Sequence, residues 1–142
     1  MVDKIIIGCD HAGYDMKLVL MDILKSMNIS VKDVGAYSTE SVDYPDIAHA
    51  LANEIENGNY GLGILLCGSG NGVNMVANKH QLVRSALCWN AEIASLARKH
   101  NNANVLAIPA RFIQNEEAIE IMKTFLTTDF EGGRHERRVN KI

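Results

Sequence analysis

Five short apolar runs alternate along the chain with longer stretches of helical period, and no other feature restricts the fold as tightly. The runs are KIIIGC (4–9), ISVKDV (29–34), GILLC (63–67), RSALC (84–88) and NVLAI (104–108), and their length and β-branched content predict strands. Between the first two, Leu18, Met21 and Leu24, with Val19 and Ile23, form one apolar stripe; between the next two, Ile47, Ala50, Leu51 and Ile55 form another. Stripes of that spacing predict helices. A third helix is expected to begin just after Ser69, a fourth to cover roughly 91–99, and a fifth to run from about Glu116 to Leu126. Strict β-α alternation implies an α/β fold with a parallel sheet, helices on both faces and right-handed crossovers.

A chain of 142 residues is the size of one ordinary domain and can bury a core without disulfides or metal. With two prolines and no Ser- or Gly-rich linker, a single domain over 1–142 is expected. The segment TTDFEGGRHERRVNKI shows no period and contains Gly132-Gly133 as a joint, so from about residue 128 the chain reads as an appendage to the sheet. The 47% hydrophobic and 22% charged residues exclude disorder as the dominant state. Net charge is −3, with about +1 in the last fifteen residues and −4 elsewhere, a poor profile for binding nucleic acid. The start, MVDKIIIGCDHAG, has an apolar run too short for a signal peptide or a membrane span, so a cytoplasmic location is expected. Three cysteines then read as free thiols.

In open α/β sheets ligands bind beyond the carboxyl ends of the strands. The residues there are CDHAG after the first run, CGSGNG after the third, CWNAE after the fourth and PAR after the fifth. Gly68, Gly70 and Gly72 permit a tight turn whose backbone N–H groups face one point, a nest for anionic oxygen. The loop fits neither the Walker pattern nor the dinucleotide fingerprint. A plain structural turn is the bland alternative.

Cys67 bears on that choice. Cys9 and Cys88 read as small buried hydrophobes. Cys67 precedes a donor nest and a helix start, a setting that lowers a thiol pKa from about 8.5 toward 7 or below, raising the thiolate fraction at neutral pH from about 3% to about half. Such a group serves as nucleophile or base; acyl transfer would pair it with a histidine oriented by Asn or Asp. His11 and His100 are the candidates, beside Asp10 and Asn101. Asp10 also fits as a helix cap, and His100 with Asn101 as a helix end. Arg111, Arg134 and Arg138 supply forked donors suited to phosphate, although RHERR also reads as a solvated tail. His49 and His80 read as surface residues without a role. A redox protein is disfavoured by the lack of C-x-x-C.

With these pieces assembled, the chain resembles the type B ribose-5-phosphate isomerase family, which includes allose- and galactose-6-phosphate isomerases. The carriers are GCDHAG (8–13), DYPD (43–46), GILLCGSGNGVNMVANK (63–79), ARKHNNANVLAI (97–108) and EGGRHERRV (131–139), in order along essentially the whole chain. The resemblance implies a three-layer α/β/α Rossmann-like domain with an open, mainly parallel five-stranded sheet and a C-terminal extension. It also implies aldose-ketose isomerisation of a sugar phosphate without metal or organic cofactor, in a homodimer or a dimer of dimers whose active sites are shared between subunits. Position by position, Cys67 resembles the base moving a proton between C2 and C1, and Gly68, Gly70, Asn71 and Gly72 the loop that receives the enediolate, with Ser69 near the sugar oxygens. His100 resembles the ring-opening residue, assisted by Asp10, and Asn101 a holder of the enediolate. His11, Arg111, Arg134 and Arg138 match phosphate-binding positions, and Tyr44 a pocket residue. Other members carry a glutamate base six residues later; that position is Val73 here, so the chain resembles the cysteine-type branch. Serine replaces the threonine common at position 69 and keeps the hydroxyl. The expected substrate pair is ribose 5-phosphate and ribulose 5-phosphate. Hexose 6-phosphates and a non-catalytic sugar-phosphate sensor are the alternatives, and the full cysteine-histidine set in one chain argues against the two-chain galactose type.

Overall fold

A computed structural model describes residues 2–142. Its strands are β1 (Lys4–Cys9), β2 (Ser30–Asp33), β3 (Gly63–Cys67), β4 (Ser85–Leu87) and β5 (Val105–Pro109). The helices are α1 (Tyr14–Ser26), α2 (Tyr44–Glu56), α3 (Asn71–Ala77), α4 (Ala91–Asn101), α5 (Asn115–Thr127) and α6 (Arg134–Val139). One sheet in the order β2-β1-β3-β5-β4 joins the strands, and every pairing is parallel.

Central strands of such a sheet are covered on both faces, and their residues are divided by parity. Ile5, Ile7, Cys9, Ile64, Leu66, Leu106 and Ile108 pack with α1, α4 and α5 through Leu20, Leu24, Ala97, Ile121 and Phe125. Ile6, Leu65, Cys67, Val105 and Ala107 meet α2 and α3 through Ala48, Leu51, Val73 and Ala77. This is the expected three-layer α/β/α arrangement. The two outermost strands are shorter than their apolar runs, Ser30–Asp33 against 29–34 and Ser85–Leu87 against 84–88. An edge strand is paired on one side only, so its ends lose ladder bonds first.

The tail differs from the sequence expectation. Instead of remaining irregular after its two glycines, the chain forms α6, and Glu131 N–H donates to Lys99 O at 3.2 Å to dock it on the end of α4. The single buried residue of this helix is His135, 8% exposed. A helix that buries one imidazole has no apolar stripe to detect.

Candidate active site

The chain leaves β1 toward the α1 layer and β3 toward the α2/α3 layer, and β1 and β3 are neighbours, with Cys9 level with Leu66. Loops that part in this way open a crevice at the carboxyl ends of the two strands. On one side stands Asp10, whose Oδ1 accepts from Ala12 N–H (2.9 Å) and Gly13 N–H (3.2 Å), so the capping role is real. Next to it, His11 Nδ1 accepts from Val42 N–H at 3.3 Å. Accepting there places the proton of the neutral ring on Nε2, which remains a donor.

On the other side Cys67, 5% exposed, is the last residue of β3. Gly70 has φ +76°, and a Cβ there would run into the Leu87 side chain and lie 3.1 Å from Pro109 N, so the turn requires glycine. Ser69 Oγ accepts from Asn71 N–H at 3.2 Å, which removes that amide from the nest and leaves the serine hydroxyl free to donate. Arg111 N–H bonds to Gly68 O at 3.0 Å, and the arginine side chain lies over Gly68, within 3.3 Å of where a Cβ would sit. The Tyr44 ring covers Gly72 so closely that a Cβ would be 2.6 Å from it. Cys67, Gly68, Ser69, Gly70, Asn71, Gly72, Asp10, His11, Tyr44 and Arg111 therefore share one rim. Of the other two thiols, burial pushes Cys9 up to about 11 despite nearby Lys17, and pushes Cys88 up to about 12.

His100, Asn101, Arg134 and Arg138 are not on that rim. Helix α4 starts above the sheet after β4 and runs back, so its last residues, His100 and Asn101, lie about 16 Å of helix away, beside the beginnings of β4 and β5. There the His100 ring stacks on His135, with centroids 4.2 Å apart and planes at 12°. Glu131 Oε2 is 3.5 Å from His135 Nε2, and Arg134 and Arg138 are one turn apart on α6. Burial, then the charges of His100, Arg134 and Arg138, hold His135 below the usual histidine range, with Glu131 opposing. The ligand atoms of His100, Glu131 and His135 lie within 4.8 Å of one another. Nearly parallel stacked rings keep their in-plane lone pairs in separate planes, and two arginines adjoin them, so the group does not fit a metal. Asn102, one residue beyond the expected position, is the left-handed residue that ends α4 (φ 46°).

Three features escaped the sequence. Lys17 is fully buried in α1. His135 partners His100. His80, expected on the surface, bridges Glu56 (Nδ1 to Oε2, 2.9 Å) and His49 (Nε2 to Nδ1, 2.7 Å), tying the end of α2 to the turn after α3. The His80 hydrogen bond holds the Glu56 carboxyl below its usual range.

Residues 5–142 match the family described as Ribose/Galactose Isomerase. Ribose-5-phosphate isomerase B of Escherichia coli is 39% identical over 139 residues, 98% of this chain and 93% of that one. The crystal structure of a ribose 5-phosphate isomerase from Thermotoga maritima superposes with a TM-score of 0.95 at 48% identity, covering 97% of this chain and 95% of that one. Ribose-5-phosphate isomerase B of Mycoplasma genitalium, solved with bound ribulose 5-phosphate, superposes with a TM-score of 0.93 at 43% identity, covering 97% and 92%.

Proposed function

This chain belongs to the ribose/galactose isomerase family, and on that footing we propose that it interconverts D-ribose 5-phosphate and D-ribulose 5-phosphate. The observation that carries the reading is the crevice itself, a cysteine at a strand end followed at once by a glycine turn, flanked by Arg111 and Tyr44. Its likeness to a relative solved with ribulose 5-phosphate supports the substrate.

The net reaction moves one hydrogen from C2 to C1 and one from O2 to O1. A hydrogen beside a carbonyl is weakly acidic, so its removal needs a placed base and donors where the oxyanion develops. The Cys67 sulfur takes the C2 hydrogen and returns it to C1. Backbone N–H groups of the Gly68–Gly72 turn, apart from the Asn71 amide that Ser69 Oγ already holds, and the Ser69 hydroxyl stabilise the enediolate, with Asn71 part of the same loop. His100, with Asp10, opens the furanose ring, and Asn101 holds the enediolate. His11, Arg111, Arg134 and Arg138 clamp the phosphate, whose binding orients the reacting carbons. Tyr44 walls the pocket.

One chain cannot perform these steps alone, because the rim and the His100/α6 group lie at opposite ends of α4. A two-fold pairing brings the rim of one chain to the far end of its partner and makes two equal crevices. A homodimer, or a dimer of dimers, is therefore the working form, placed in the cytoplasm and the pentose phosphate pathway; no helix among the described residues is long and apolar enough to cross a membrane.

Turnover on a panel of five- and six-carbon aldose phosphates tests the substrate: ribose 5-phosphate is expected to be preferred, with full activity in the presence of a chelator. Rapid conversion of a hexose 6-phosphate without pentose activity overturns the assignment. Cys67→Ala is expected to lower kcat by about 10³-fold or more while sugar-phosphate binding persists. A wild-type chain that binds but never turns over would be a sensor.

A further inference from the structure

Lys17 has no exposed surface, and no step above uses it. It sits on the inward face of α1 with Met16, Leu20 and Leu24, where an apolar residue is the ordinary choice. A buried ammonium is strongly unfavourable unless its donors are satisfied, and replacing a buried ion pair by apolar groups is often neutral or stabilising. Packing therefore does not account for a lysine here. Its partners do.

Lys17 Nζ donates to Asp33 Oδ1 at 2.7 Å and to Ala36 O, and lies 5.6 Å and 5.4 Å from the ring centroids of Tyr14 and Tyr37. Asp33 Oδ1 also accepts from Gly35 N–H at 2.9 Å. Three of these four residues lie where the chain leaves β2 for α2, and that connection makes one wall of the crevice. Cys9 N–H donates to Gly35 O and Ala36 N–H to Cys9 O, which laces it to the end of β1 directly before Asp10 and His11. Farther along, Val42 N–H bonds to His11, and two residues later Tyr44 lies on Gly72. Between these attachments residues 37–41 are all exposed and supply no apolar anchor of their own.

We infer that Lys17 is a positioning residue: it pins Asp33 and Ala36 under the end of β1, and through that connection sets His11 and Tyr44 in the substrate crevice. The inference rests on the isomerase reading for its kinetics, but its structural half stands apart from it.

The test compares the intact enzyme with Lys17→Met and Lys17→Met/Asp33→Asn, the second removing the carboxylate left without its counterion. KM and kcat for ribose 5-phosphate, Tm, and amide exchange of residues 34–43 are measured in each. Lys17→Met is expected to raise KM about tenfold with kcat changed less than about threefold, and to speed exchange in 34–43 while the core of α1 stays protected. The double variant is expected to recover much of the Tm and to keep the raised KM. Recovery of KM together with Tm, or a folded Lys17→Met with wild-type KM and exchange, overturns the inference. Should both fail to fold, Asp33→Asn alone decides: faster exchange in 34–43 with a raised KM supports the role, and no change in either refutes it. Wild-type enzyme without pentose phosphate turnover would sink the isomerase reading instead, and leave the exchange comparison to judge Lys17.

Discussion

Cys9, Cys67 and Cys88 are free thiols at three strand ends, and the fold treats them differently. Burial raises Cys9 to about 11 and Cys88 to about 12, and neither has any exposed surface, whereas Cys67 retains 5%. Iodoacetamide at pH 7.5 is therefore expected to modify Cys67 first, with activity lost at the same rate; peptide mapping that finds Cys9 or Cys88 alkylated first would contradict this. The sequence made Cys67 distinguishable, because a glycine turn is local and visible in eight letters. It could not reveal Lys17, whose burial depends on an acceptor sixteen residues away, or the His100–His135 stack, which joins residues thirty-five apart.

At the scale of elements, strands and long helices were legible because each hides an apolar face with a regular period. β1 and β3 match their runs end for end, while the edge strands shrink for want of a second neighbour. Helix α6 was not legible, since the one buried side chain that attaches it is an imidazole. That attachment depends on pH. Folded His135 takes up a proton less readily than the unfolded residue, whose ordinary value is 6.5, so the unfolded chain binds more protons just below that pH. Stability present above about 6.5 is then lost as pH falls. Tm measured from pH 7.5 to 5.5 is expected to decline less steeply in His135→Gln than in wild type; identical slopes would remove His135 as the cause. The turn before α3 makes a second demand. Gly70→Ala forces a side chain into φ +76° and against Leu87, and a loss of about 2 kcal/mol in denaturant unfolding is expected, along with most activity. An unchanged unfolding midpoint would show that the turn tolerates a Cβ.

For the whole molecule, the sequence assembled one set of candidate residues without showing that they occupy two ends of the fold. His100 and Cys67 belong to one chemistry on the isomerase reading, yet α4 carries His100 back along the sheet. Mixing inactive Cys67→Ala with inactive His100→Ala, after unfolding and refolding together, is expected to restore about a quarter of wild-type activity: random pairing makes half the dimers mixed, and each mixed dimer has one crevice with both groups intact. A mixture as inactive as its parents would place both groups in a single chain's site and refute the shared crevice.

The direction of α4 also has a genetic consequence. With crevices shared between two subunits, as proposed, a chain damaged at both of its ends disarms both crevices of any pair it enters, so a cell making equal amounts of damaged and intact chains is expected to keep only about a quarter of its pairs fully working. On that proposal, a helix that carries His100 to the other end of the sheet turns what would be a recessive loss into a partly dominant one.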